Sequence, residues 1–168
     1  PVTRIEVEPL ATNEFPTAPQ PQTPAEDVLL ALGKYGAAIE ELRQASRLPH
    51  SRFPLEYTIS DPAAMLFPHY KTMKNTAWAL RLRAVAELNN GQAERALADV
   101  QLILYLASSI RNEPAIVSSS LRMAMVDWAV QPIWEGLARR QWSEEQLATL
   151  ESELVRLDAT SDYSRNLR

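Results

Sequence analysis

The stretch Ala84-Val85-Ala86-Glu87-Leu88-Asn89-Asn90-Gly91-Gln92-Ala93-Glu94-Arg95-Ala96-Leu97 decides the fold. At its centre, Asn89-Asn90-Gly91 is a helix stop, because Asn and Gly tolerate the left-handed conformation that ends helices. Upstream, Tyr70, Met73, Ala77, Leu80, Ala84 and Leu88 recur at helical spacing and predict a helix from about His69 to Leu88. Downstream, Ala93, Ala96, Leu97, Val100, Ile103, Leu104 and Ala107 predict another, starting near Gln92. With only about three residues between them, the two helices read as an antiparallel αα-hairpin.

The same signals extend outward. Glu113-Pro114 opens a helix carried by Ile116, Val117, Leu121, Ala124, Met125, Trp128, Ala129, Ile133 and Leu137, with a kink or break expected at Pro132. Gln141-Trp142-Ser143 is the next turn, and Ser143-Glu144-Glu145-Gln146 is a capping box opening a helix along Leu147, Leu150, Leu154 and Leu157. Towards the N-terminus, Thr23-Pro24-Ala25-Glu26 is another capping box with proline at the first helical position. Val28, Leu32, Tyr35, Ile39 and Leu42 follow it, weakened by Gly33 and Gly36, and the pattern stops near Leu48-Pro49.

The predicted fold is all-α, with about five helices packed as antiparallel hairpins in a tetratricopeptide-like or solenoid-like bundle. Residues 24–158 form a single helical domain. Residues 1–23 hold five prolines, with a sixth at Pro24, and read as an extended linker or arm, with Val2, Ile5 and Val7 favouring some docking or a short strand. Residues 48–68 hold Pro49, Pro54, Pro62 and Pro68, yet also Phe53, Leu55, Tyr57, Ile59, Met65, Leu66 and Phe67. An ordered, non-helical connection packed on the helices is expected there. Residues 159–168 are a polar tail.

Composition excludes several classes. A chain of 168 residues buries roughly 70% of the surface it exposes when unfolded, so it needs no staples. It has no cysteine, which removes disulfides, thiolate nucleophiles and Cys-ligated zinc. Its two histidines, His50 and His69, are too few for a His-rich metal site. A net charge of -4, with no basic run, gives no general pull towards nucleic acid or anionic lipid. No stretch reaches the ~18 apolar residues that a bilayer span requires. The chain opens with Pro1 rather than Met and reads as processed or trimmed.

The hairpin stretch resembles the middle of a tetratricopeptide repeat: Ala86, Gly91, Ala93 and Ala96-Leu97 match its small-residue helix, Gly turn and alternating alanines. More widely, Arg52-Phe53-Pro54-Leu55, Leu66-Phe67-Pro68-His69, Ala96-Leu97-Ala98-Asp99-Val100 and Asn112-Glu113-Pro114 through Leu121 and Ala124 resemble a group of uncharacterised bacterial helical proteins. That resemblance implies an all-helical fold on the envelope side, through an upstream anchor or by export; otherwise the chain is cytoplasmic. It implies no activity.

Candidate chemistry is sparse. His69 lies beside Tyr70 at a helix start and could serve as a general base with a nearby acid, but no Gly-rich loop or serine elbow accompanies it. Ser118-Ser119-Ser120 lacks a Gly-x-Ser-x-Gly frame and reads as small residues for close packing. Glu40-Glu41, Glu144-Glu145 and Glu151 to Glu153 read as solvated helix faces. The tryptophans are more informative. Trp128 is expected in the core, and Trp78 and Trp134 are divided evenly between core and surface. Arg81/Arg83 and Arg139/Arg140 are too few for nucleic-acid binding.

The leading reading is a non-catalytic scaffold that binds a protein or peptide through Trp78, Arg81, Arg122 and Trp134, with no catalytic residue, metal or cofactor. The alternatives are a hydrolase using carboxylates or His69, and a structural domain that assembles with itself.

Overall fold

A computed structural model describes residues 15–48, 51, 53, 55, 66–113 and 115–157. Every regular element among them is helical. The helices are α1 (Pro24–Leu32), α2 (Gly36–Ala45), α3 (His69–Asn89), α4 (Ala93–Ser109), α5 (Ile116–Ala138) and α6 (Glu144–Leu157). The first predicted helix is thus divided by a 3-10 turn at Gly33–Tyr35, between the two glycines that weaken it. Counted as one unit with that turn, it makes five packed helical units.

The caps follow the sequence. Thr23 and Glu26 exchange bonds, Glu26 N to Thr23 Oγ1 at 3.3 Å and Thr23 N to Glu26 Oε2 at 2.9 Å. Ser143 and Gln146 do the same at 3.2 and 3.0 Å. At the end of α3, Gly91 takes a φ of 70°. There Gln92 N donates to Glu87 O at 2.8 Å, and Gly91 N to Leu88 O at 3.0 Å. This is a Schellman turn. The end of α5 repeats it: Gln141 N donates to Gly136 O and Arg140 N to Leu137 O, with Arg140 in the glycine position at a φ of 55°. The second turn leans on the first, since Gln141 Nε2 donates to Leu88 O at 2.7 Å and Arg139 donates to Asn89 Oδ1.

α4 is the central helix and packs against α3, α5 and α6. Val100, Ile103 and Ala107 meet Ala77, Leu80, Ala84 and Leu88 of α3, and Met125 and Ala129 of α5, in one core. Ile39 of α2 and Leu150 and Leu157 of α6 close it. α3 and α5 run parallel: Tyr70 meets Ser118, Trp78 meets Trp128, and Arg81 meets Gln131.

The structure corrects one expectation on α5 and sharpens two around it. No break occurs at Pro132, and α5 runs through it; the proline is fully buried and removes one amide donor from the ladder. Ile116, Val117 and Leu137 are exposed rather than buried, because the inward side of α5 is the stripe Ser118, Arg122, Met125, Ala129 and Ile133. Trp142 lies in the turn expected there and is buried as well: its indole N–H donates to Ile133 O at 2.9 Å and its ring lies on Gly136, where any Cβ would overlap it. In the connection before α3, Phe53 packs on the core, whereas Leu66 is 80% exposed. Val2, Ile5, Val7, His50, Tyr57, Ile59, Met65, Pro114 and the tail 159–168 lie outside the described residues.

Candidate functional site

Chemistry-bearing side chains gather in three places. The first is centred on Glu113, in the turn that leads from α4 to α5. Its carboxylate is buried and meets His69 Nε2 at 2.9 Å on Oε1. Tyr70 donates to Oε2 at 2.6 Å and Ser118 to the same atom at 3.0 Å. Tyr70 Oη and Ser118 Oγ, converging on one oxygen, also touch each other. Aromatic rings seal the group: His69 stacks on Phe53 at 4.1 Å, and Tyr70 on Phe67 at 4.6 Å.

This group contains the acid beside His69 that a hydrolase would need, yet its wiring differs from a nucleophile relay. In such a relay the serine donates to the imidazole, and the carboxylate orients the other ring nitrogen. Here Ser118 donates to the carboxylate instead, and it is fully buried. Two surface hollows lie elsewhere among the described residues. One lies between residues 15–21 and α1, and the other is lined by Arg43, Ser46, Arg47, Ala98, Gln101 and Leu102. The Glu113 group therefore ties the start of α3 to the start of α5. Ser120 bonds back to Ile116 O at 3.1 Å, as a helix serine does.

The second place is the junction of α2, α3 and α4. Asp99 is fully buried on α4. Arg83 of α3 holds it with two bonds, Nε to Oδ2 at 2.5 Å and Nη2 to Oδ1 at 2.6 Å, while Arg43 of α2 reaches Oδ1 at 3.5 Å. Burial still pushes the Asp99 carboxyl above its ordinary value, against the opposing pull of Arg83 and Arg43. Glu87, one turn on from Arg83, is buried beside it and meets Arg83 Nε at 3.5 Å through Oε1. Its Oε2 accepts no hydrogen bond among the described residues. Burial first, and the neighbouring Asp99 charge second, push its pKa to about 7.

The third place is the outer face of α3 and α5, where Trp78 and Arg81 of the predicted contact residues meet. Trp78 is 45% exposed and meets the half-buried Trp128 edge-on, with centroids 5.6 Å apart. The Arg81 guanidinium lies 4.5 Å over the Trp78 ring and donates to Gln131 on α5. Trp134 is 69% exposed, three residues beyond Gln131 on α5. Arg122 is not on this face. It lies on the buried side of α5 and donates to the carbonyl of Leu157, where a cation suits the C-terminus of α6. The structure therefore joins Trp78 to Arg81, adds Trp128 and Gln131 to them, and removes Arg122.

Asp99, Glu87 and Glu113 were not singled out as interior groups from sequence. The signal was present for two of them: Asp99 falls in phase with Ala96 and Ile103, and Glu87 with Leu80 and Ala84, all buried. Among the described residues no helix is long and apolar enough to cross a membrane, and no group of three acidic or histidine side chains is placed to hold a metal. Searches of family models, curated proteins and solved structures find no match to this chain.

Proposed function

We propose that this chain is a non-catalytic helical scaffold that binds a partner protein across the outer face of α3 and α5. The carrying observation is where apolar surface is left exposed. Of the fourteen large apolar side chains exposed among the described residues, eight lie on these two helices and none on α4. Trp78 and its neighbour Leu82 stand on α3, while Ile116, Met123, Val130 and Leu137 project from the side of α5 turned away from Trp128; exposed apolar surface of this kind marks contact sites in folded proteins. Trp78 and Trp134 supply aromatic anchors, and Arg81, held by Trp78 and Gln131, offers a fixed cation beside them. Meanwhile Glu113 is bonded inward to His69, Tyr70 and Ser118, and Asp99 to Arg83 and Arg43.

The test is affinity capture from cells that make the protein, run in parallel with Trp78→Ala and Trp134→Ala variants shown by circular dichroism to be folded. Loss of the same captured protein from both variants supports the reading. A capture pattern identical to wild type overturns it. Hydrolysis of ester, amide or glycosidic probes that disappears in His69→Ala or Glu113→Gln would instead favour the hydrolase.

A further inference from the structure

Charge is unevenly placed on α3. From His69 to Ala86 the helix holds no aspartate or glutamate, and its one acid, Glu87, is buried. Lys71, Lys74, Trp78, Arg81 and Val85 follow one another at alternating steps of three and four residues. At about 100° per residue they fall within roughly 80° of one another and form a row about 21 Å long. Lys71, Lys74 and Trp78 are exposed, and Arg81 and Val85 are half-buried. The row thus sets cations on both sides of an aromatic ring, on a chain whose net charge is -4.

The carboxylates nearby are engaged or turned aside. Glu113 is buried and bonded to His69, Tyr70 and Ser118. Glu87 points to the opposite side of α3 from Trp78, towards Arg83 and Asp99. Glu135 meets Arg139 at 3.4 Å. Asp127 is exposed, but it lies about 100° round α5 from Trp128. Among the described residues no carboxylate pairs with Lys71, Lys74 or Arg81. Lys71 and Lys74, three residues apart, repel each other, and an acid from outside would relieve that repulsion. Arg81 is held in place by the Trp78 ring and by the bond from its Nε to Gln131. Its two Nη groups remain for a carboxylate.

Spacing sets the kind of partner. Lys74 and Arg81 are about 10 Å apart along the helix axis, with Trp78 between them. Three residues of extended chain cover the same distance. An extended segment can therefore put one carboxylate on Lys74 and another on Arg81, and lay an apolar side chain on Trp78 between them. We infer that the outer row of α3 takes an extended acidic peptide segment, whose carboxylates pair with Lys74 and Arg81 on either side of an apolar side chain seated on Trp78. This rests on the protein-binding reading and gives that partner its chemistry. Lys71 offers a place for one more carboxylate beyond Lys74.

The probe is a fluorescein-labelled peptide of four Glu-Glu-Leu repeats, in which glutamates three residues apart flank a leucine. Binding is read by fluorescence anisotropy at low salt. A peptide with glutamine at every glutamate should bind at least tenfold more weakly, and added salt should weaken only the acidic one. Lys71→Glu combined with Lys74→Glu, both at exposed sites, should cost the acidic peptide about tenfold. Arg156→Glu, at an exposed site on α6, should leave its binding unchanged. Equal binding of the acidic and glutamine peptides overturns the inference, as does a Lys71→Glu/Lys74→Glu protein that binds like wild type. Oligothymidylate, a polyanion without apolar side chains, should bind more weakly than the acidic peptide; equal or tighter binding also overturns the inference. A captured protein that is lost with Trp78→Ala yet kept by Lys71→Glu/Lys74→Glu leaves the binding reading standing and removes only the acidic partner.

Discussion

Two interior carboxylates hold this molecule together, and they are held in different ways. Asp99 is gripped by guanidinium groups, two bonds from Arg83 and a longer contact from Arg43, and so joins α2, α3 and α4. Glu113 meets a histidine and two hydroxyls, from His69, Tyr70 and Ser118, and joins the starts of α3 and α5. Charge pairing at Asp99 is strong but leaves costly ions behind when one partner is removed. The hydroxyls at Glu113 carry no charge, so each one removed costs only about one hydrogen bond. An acid beside a histidine, the feature most suggestive of catalysis, thus bridges two helix starts here much as the Asp99 ion pair bridges three helices.

The sharpest way to break the comparison is Asp99→Ala. It strands Arg83 in a mostly buried site, and urea unfolding should show a loss of about 3–5 kcal/mol. Next comes Glu87→Gln, which tests the charge excess at the same junction. The Glu87 pKa is about 7 in the folded chain against an ordinary 4.5. Below pH 4.5 both states hold the proton and the group costs nothing extra. As pH rises from 4.5 to 7 the unfolded chain has released a proton that the folded chain retains, so stability falls across that window and levels off above it. The full penalty above pH 7 is about 3 kcal/mol. Glu87→Gln should therefore raise stability by up to that amount at pH 8 and leave it unchanged at pH 4, read from thermal unfolding at both. The smallest effect is expected at the Glu113 group: Tyr70→Phe deletes one hydroxyl donor and should cost about 1 kcal/mol in the same urea experiment.

Much of the fold was legible because local rules and packing agreed. Thr23, Ser143 and Gly91 mark helix ends by chemistry that depends on only a few neighbours, and each acts there as expected. What was not legible depends on distant partners. Arg140 occupies a left-handed position that glycine ordinarily takes, and its neighbours Arg139 and Gln141 bond to the α3 end, a contact 50 or more residues away in sequence. Arg122 looked like a surface fork until α6 brought the Leu157 carbonyl to it. Periodicity on α5 was read one side too wide, because both its faces carry apolar residues. The inward stripe instead includes Ser118 and Arg122, whose polarity hid it. Of the candidate site, Trp78 and Arg81 were found as neighbours on one helix. Their continuation into Trp128 and Gln131 required the packing of α5.

The central claim is that the inward polar groups build the fold while the outer face of α3 and α5 does the recognising. Urea unfolding of Glu113→Ala tests it most directly. If Glu113 is a clamp, removing it leaves His69, Tyr70 and Ser118 without their shared acceptor, and stability should fall by about 2–3 kcal/mol. Acids kept for chemistry behave the other way, since their replacement commonly leaves stability unchanged or raises it. An unfolding midpoint equal to or above that of wild type would contradict the account and return His69 and Glu113 to the list of catalytic candidates.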